Sequence, residues 1–134
     1  MKATLPIPYA IVFVHDLNNH EIEVPEYEDN TLITSNGECL SIGTQADVDG
    51  DVTINLSANT ESIEKKGLSK AFEGTIASAS KRVAVSTSEG DIVLTMEVEC
   101  EITVLSIWVD DVLYPSSILI EADGSKGDLG PPGK

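Results

Sequence analysis

The strongest constraint on how this chain folds is a hydrophobic period of two that recurs along most of its length. Val52, Ile54 and Leu56 alternate with Thr53, Asn55 and Ser57. Val83 and Val85 alternate with Arg82, Ala84 and Ser86. Ile92, Leu94, Met96, Val98 and Cys100 share one side of a run whose other side holds Thr95, Glu97 and Glu99. Successive side chains of a strand point to opposite faces of a sheet, so these runs predict strands with one buried face, and Leu94 is placed in the core. Two further runs, Ala10-Ile11-Val12-Phe13-Val14 and Ile102 through Val109, are apolar on both faces. They predict central strands, or strands whose outer face meets another subunit. Trp108, Val104 and Ile102 in the second run are the candidate interface residues.

Turn signals separate these runs at short intervals. Leu17-Asn18-Asn19-His20 follows Val14, and Asn36-Gly37 precedes the run around Cys39. Asp49-Gly50 and Glu89-Gly90 each lie between two strand-like runs and are read as hairpin turns, where glycine supplies positive φ. Residues 59–68 are the one helical candidate, with Asn59 as N-cap and Gly67 as stop; a loop with a single helical turn is the alternative. Residues 21–29 are acidic, contain Pro25, and read as a strand end followed by an exposed loop. The predicted fold class is all-β, an antiparallel β-sandwich or small barrel of roughly eight to ten strands.

The 134 residues are 41% hydrophobic, enough for one domain with its own core. The 23 acids outnumber the 8 lysines and arginines, for a formal charge of −15. That excess argues against nucleic acid or an anionic membrane surface as a partner and permits a basic protein. No apolar run is long enough to span a membrane, and Met1 to Pro6 lack the features of a secretion signal, so a cytoplasmic chain is expected. Cys39 and Cys100 are expected as thiols in apolar strands; spacing does not establish whether they pair.

Residue constellations for chemistry are sparse. Asp47-Val48-Asp49-Gly50-Asp51 resembles a calcium loop at first sight, but glycine stands fourth rather than sixth and Ala58 occupies the position where a bidentate glutamate is needed. His15-Asp16 and His20-Glu21 have no positioned nucleophile in sequence, and no Gly-x-Ser-x-Gly elbow or phosphate loop occurs. The expectation is no enzyme activity, no cofactor and no metal.

The composition changes abruptly at Asp123. Residues 1–122 are read as the β domain and residues 123–134 as a separate tail. Glycine recurs in the tail at Gly124, Gly127, Gly130 and Gly133, and one triplet is Gly130-Pro131-Pro132. Only glycine fits the axis of three wound polyproline-type chains, so this is a collagen-like register. The tail resembles the collagen-like shafts of bacterial and bacteriophage fibre proteins. That resemblance implies a homotrimer whose β domain anchors to a larger particle or a host protein surface. It also implies a virion component, assembled in the host cytoplasm.

A second resemblance rests on Tyr9-Ala10-Ile11-Val12-Phe13-Val14-His15-Asp16, the acidic loop after it and the late strands. These are similar to the competence protein J family of nuclease inhibitors. This implies an acidic, cytoplasmic inhibitor or immunity-type protein that binds a basic enzyme. Oligomeric state separates the two readings, a trimer for the fibre and a monomer for the inhibitor.

Overall fold

A computed structural model describes residues 1–19, 24–25, 31–58, 65 and 67–123. Ten strands are present among them: β1 (Lys2–Leu5), β2 (Ile11–Asp16), β3 (Ile33–Ser35), β4 (Cys39–Gly43), β5 (Val52–Ser57), β6 (Ser69–Ala77), β7 (Arg82–Thr87), β8 (Ile92–Glu97), β9 (Ile102–Val109) and β10 (Ser117–Asp123). They form two five-stranded sheets. One has the order β1-β5-β10-β9-β6 and the other β3-β4-β2-β7-β8. Neighbouring strands are antiparallel except β5 and β10, which run parallel with Ile54 opposite Ile118 and Leu56 opposite Ile120. The chain is an all-β sandwich.

The alternating runs supply the core. Val52, Ile54 and Leu56 of β5, Leu105 and Ile107 of β9, and Ile118 and Ile120 of β10 pack with Val12 and Val14 of β2, Leu40 and Ile42 of β4, and Val83 and Val85 of β7. The runs apolar on both faces, β2 and β9, do lie inside their sheets. On β7 burial extends to both faces: Ala84 and Ser86 are covered as well as Val83 and Val85.

Two turns behave as hairpins. Asn36-Gly37 joins β3 to β4, with Gly37 at φ 91° and Asn36 Oδ1 accepting the amides of Glu38 and Cys39 at 3.0 and 2.9 Å. Glu89-Gly90 joins β7 to β8, with Gly90 at φ 88°. Asp49-Gly50 is not a hairpin. β4 and β5 belong to different sheets, and the chain crosses between them through a 3-10 turn at Asp47–Asp49. Gly50 alone takes positive φ there, whereas the expected two-residue turn needs it at both positions.

β8 departs from the expected pattern at one end. The pairing with β7 shifts between Val85 and Ser86, and Ile92 beyond the shift is 48% exposed. A bulge turns the strand, which takes Ile92 off the inner face. Leu94, Met96 and Val98 keep that face and pack against the core, but only partly buried. Replacing Leu94 with alanine is therefore expected to lower the unfolding free energy by about 1–2 kcal/mol, below the range for a fully buried leucine. Urea unfolding checks this, and a change under about 0.5 kcal/mol would place Leu94 outside the packed face.

The helical candidate at residues 59–68 lies largely outside the described residues. So do His20, most of the acidic segment 21–29, and the tail glycines Gly124, Gly127, Gly130 and Gly133.

Candidate protein-binding surface

Strand register brings four loops to one end of the sandwich. β1 ends where β5 begins, β9 ends where β10 begins, β4 ends beside the start of β2, and β7 ends at the start of β8. The loops are residues 6–10, 44–51, 88–91 and 110–116, which together form a crown. Backbone bonds knit them: Thr44 N donates to Ala10 O, and Gln45 N to Pro115 O, each at 2.9 Å. Ile7 is fully buried and Pro115 is buried, so each of two loops is pinned by one side chain while its neighbours face outward.

Part of what faces outward is apolar. Tyr9 is 81% exposed, Leu113 70% and Tyr114 69%; Val48 and Val112 are exposed too. Tyr9, Leu32, Val112, Leu113 and Tyr114 help to line a hollow of about 370 Å³. Large apolar side chains gathered this way mark an interaction site, whereas scattered ones need no explanation.

The backbone presents Tyr9 at a cost. Tyr9 (φ 59°, ψ 14°) and Ala10 (φ 57°) occupy the left-handed region in succession. A residue with a Cβ is disfavoured there by about 1–2 kcal/mol. Ala10→Gly is expected to stabilise the fold by about 0.5–1 kcal/mol, since relief of strain outweighs the added chain entropy. A lower urea midpoint for that variant would contradict the strain. Tyr114 is held differently: Asp111 Oδ1 accepts the amides of Leu113 and Tyr114 at 2.8 and 3.2 Å.

The crown is also charged with one sign. Asp47, Asp49, Asp51, Glu89, Asp91, Asp110 and Asp111 are exposed, and its four loops contain no lysine, arginine or histidine. Asp47, Glu89 and Asp91 border a second groove of about 410 Å³ walled by Leu5, Pro6 and Pro8. Burial raises the Asp110 carboxyl, but hydrogen bonds from the Ser116 hydroxyl and the amides of Ser117 and Ser116 outweigh it and hold it below the ordinary aspartate value. The other end is mixed in sign, with Lys81 and Arg82 near Glu97 and Glu101.

The candidate interface residues of the sequence lie elsewhere, on the outer face of β9. Ile102 is half exposed, while Val104 and Trp108 are partly buried. The Trp108 ring has Lys65 Nζ 4.8 Å and Lys70 Nζ 5.6 Å from its centroid, and Lys65 also pairs with Glu121 at 3.4 Å. The cations cover the ring face, while the buried Trp108 Nε1 has no hydrogen-bond partner among the described residues. The crown tyrosines went unmarked by strand periodicity. Their one sequence signal is Val112-Leu113-Tyr114, an apolar run placed in a turn after Asp110-Asp111.

His15 lies on β2, one residue before its end. Its Nε2 lies 2.8 Å from Ser86 Oγ on β7, and its Nδ1 lies 2.9 Å from Asp16 O. The carbonyl can only accept, so Nδ1–H donates and Nε2 accepts from the hydroxyl. This is a nucleophile–base contact in distance, yet both side chains are more than nine-tenths buried, which leaves a substrate no approach to Ser86 Oγ. It satisfies polar groups on a covered sheet face. Asp16 does the same at the opposite end, accepting from Ser80 N, Ser80 Oγ and Asn18 N at 2.9, 2.7 and 3.2 Å.

No disulfide joins Cys39 to Cys100, and burial pushes the Cys39 thiol up to about 12, which makes it unreactive near neutral pH. Among the described residues no group of three or more His, Cys, Asp or Glu could hold a metal ion, and no helix is long and apolar enough to cross a membrane.

No protein-family model and no curated protein matches the chain. Among solved structures it is similar to ComJ from Bacillus subtilis, described as an inhibitor of the DNA degrading activity of NucA. The TM-score is 0.66 at 14% identity, over 92% of this chain and 94% of that one. At that identity the likeness is one of fold.

Proposed function

We propose that the chain is a non-catalytic acidic inhibitor that caps a basic enzyme, a nuclease, through the crown. The observation that carries this reading is the crown itself: exposed tyrosine and aliphatic side chains share its four loops with seven exposed carboxylates and no basic residue. Aromatic anchors in an otherwise polar rim are the usual composition of a strong protein interface. One-signed charge adds speed, because a complementary partner is steered into contact. Nucleases that act on DNA present basic surfaces, and the carboxylates of the crown would repel the nucleic acid while attracting the enzyme. The fold shared with a nuclease inhibitor supports the same reading.

The test is a cleavage assay. Purified chain is titrated against NucA and against other basic nucleases at constant DNA. Stoichiometric loss of cleavage for at least one enzyme is expected. Full cleavage by every enzyme in excess inhibitor contradicts the proposal. The Gly-X-Y register at Gly124 to Gly133 favours a second reading, a trimeric fibre component of a virion. Sedimentation of the free chain separates them, a monomer supporting the inhibitor.

A further inference from the structure

We propose that the hollow between Tyr9 and Tyr114 is an arginine subsite, which receives the guanidinium-bearing side chain of an arginine on the partner protein. This deepens the reading above and rests on it for the partner. The hollow of about 370 Å³ has aliphatic walls from Leu32, Val112 and Leu113 and is flanked by the two tyrosines. Arginine matches both parts, with a methylene stem for the aliphatic walls and a flat, weakly hydrated cation for ring faces.

Charge decides against a plain apolar occupant. The four crown loops carry seven carboxylates and no cation of their own. Trp108 shows the contrast: its ring is already met by Lys65 and Lys70 from the same chain. At the crown no lysine or arginine of these loops can play that part for Tyr9 and Tyr114. A cation from outside would gain the rings at the hollow and the longer-range attraction of the crown carboxylates, none of which lines the hollow itself. The backbones of both tyrosines are also tied to the fold, the Tyr9 loop by Thr44 N donating to Ala10 O at 2.9 Å and Tyr114 by the Asp111 carboxylate. Less ordering is then left for binding to oppose.

The experiment titrates the full chain with N-acetyl-arginine amide and with its neutral isostere, N-acetyl-citrulline amide, following the tyrosine ring signals by NMR. Arginine is expected to shift the Tyr9 and Tyr114 rings saturably, with citrulline about 3-fold weaker or more. Tyr9→Ala and Tyr114→Ala should each weaken arginine binding by about 3-fold. Both side chains are largely exposed, and unchanged thermal midpoints would confirm that the variants fold. Equal binding of citrulline overturns the subsite, as does the absence of a saturable ring shift up to about 100 mM arginine amide, a level that reveals even millimolar affinity. The two proposals fail separately. Arginine binding without inhibition of any nuclease removes the function and leaves the subsite. Inhibition unaffected by either tyrosine variant removes the subsite and leaves the function.

Discussion

Replacing Ile120 with alanine lowers the unfolding free energy by about 3–5 kcal/mol, the upper range for loss of a large buried aliphatic side chain. Ile120 is fully buried on β10, opposite Leu56 of β5 on one side and Ile107 of β9 on the other. All three sit in the middle of their sheet and face the second sheet across the core. A close-packed interior collapses poorly around a missing side chain, so the cost includes a cavity as well as lost transfer energy. Domains of this size have about 5–15 kcal/mol in total, so the variant is expected to lose about a fifth or more of its stability. Urea unfolding monitored through Trp108 fluorescence measures it. A loss under about 1 kcal/mol would mean that β10 is not the inner strand of this sheet.

The second large effect is on association. Converting Asp47, Asp49 and Asp111 to lysine reverses the sign of much of the crown rim. Steering of a basic partner is worth about 10²-fold or more in association rate, and like charges across the contact add a direct penalty. The triple variant is therefore expected to bind the proposed basic partner at least about 100-fold more slowly at low salt. Stability should change little because Asp47 and Asp49 are exposed at a surface turn; only Asp111 also braces its loop. Stopped-flow association at several salt concentrations checks it. Wild-type rates for the variant would show that the crown does not meet the partner.

The fold was legible where it depends on local pattern. Val52, Ile54 and Leu56 face the core as their period requires, and Glu89-Gly90 is the hairpin its sequence predicts because glycine meets a positive φ there; Asn36-Gly37, read only as a turn, also closes a hairpin. The pattern misled at Asp49-Gly50, since the same dipeptide serves a crossover between sheets when its first residue keeps negative φ. The parallel pairing of β5 with β10 joins segments about sixty residues apart, and nothing in either segment specifies that neighbour. The sandwich also escaped separation from the barrel, because alternation does not show which strands end a sheet, and the edge strands β1 and β6 are not among the runs it marks.

The candidate site was legible only in part. The acidic balance was plain from composition, but that seven acids meet at one end in loops without a basic residue follows from strand register. Tyr9 gave no turn signal, for tyrosine followed by alanine is a poor sequence for two left-handed residues. Tyr114 lies in a turn, outside the alternating strand pattern that marks Trp108. In the fold that ring is engaged by Lys65 and Lys70. The contact between His15 and Ser86 depends on β2 lying beside β7, and no motif spacing encodes it.

Hydrogen exchange on the chain bound to a nuclease it inhibits tests the central claim most directly. Added protection is expected at residues 6–10, 44–51 and 110–116, with the outer face of β9 unchanged. Protection at Ile102, Val104 and Trp108, with the crown exchanging as in the free chain, would contradict it.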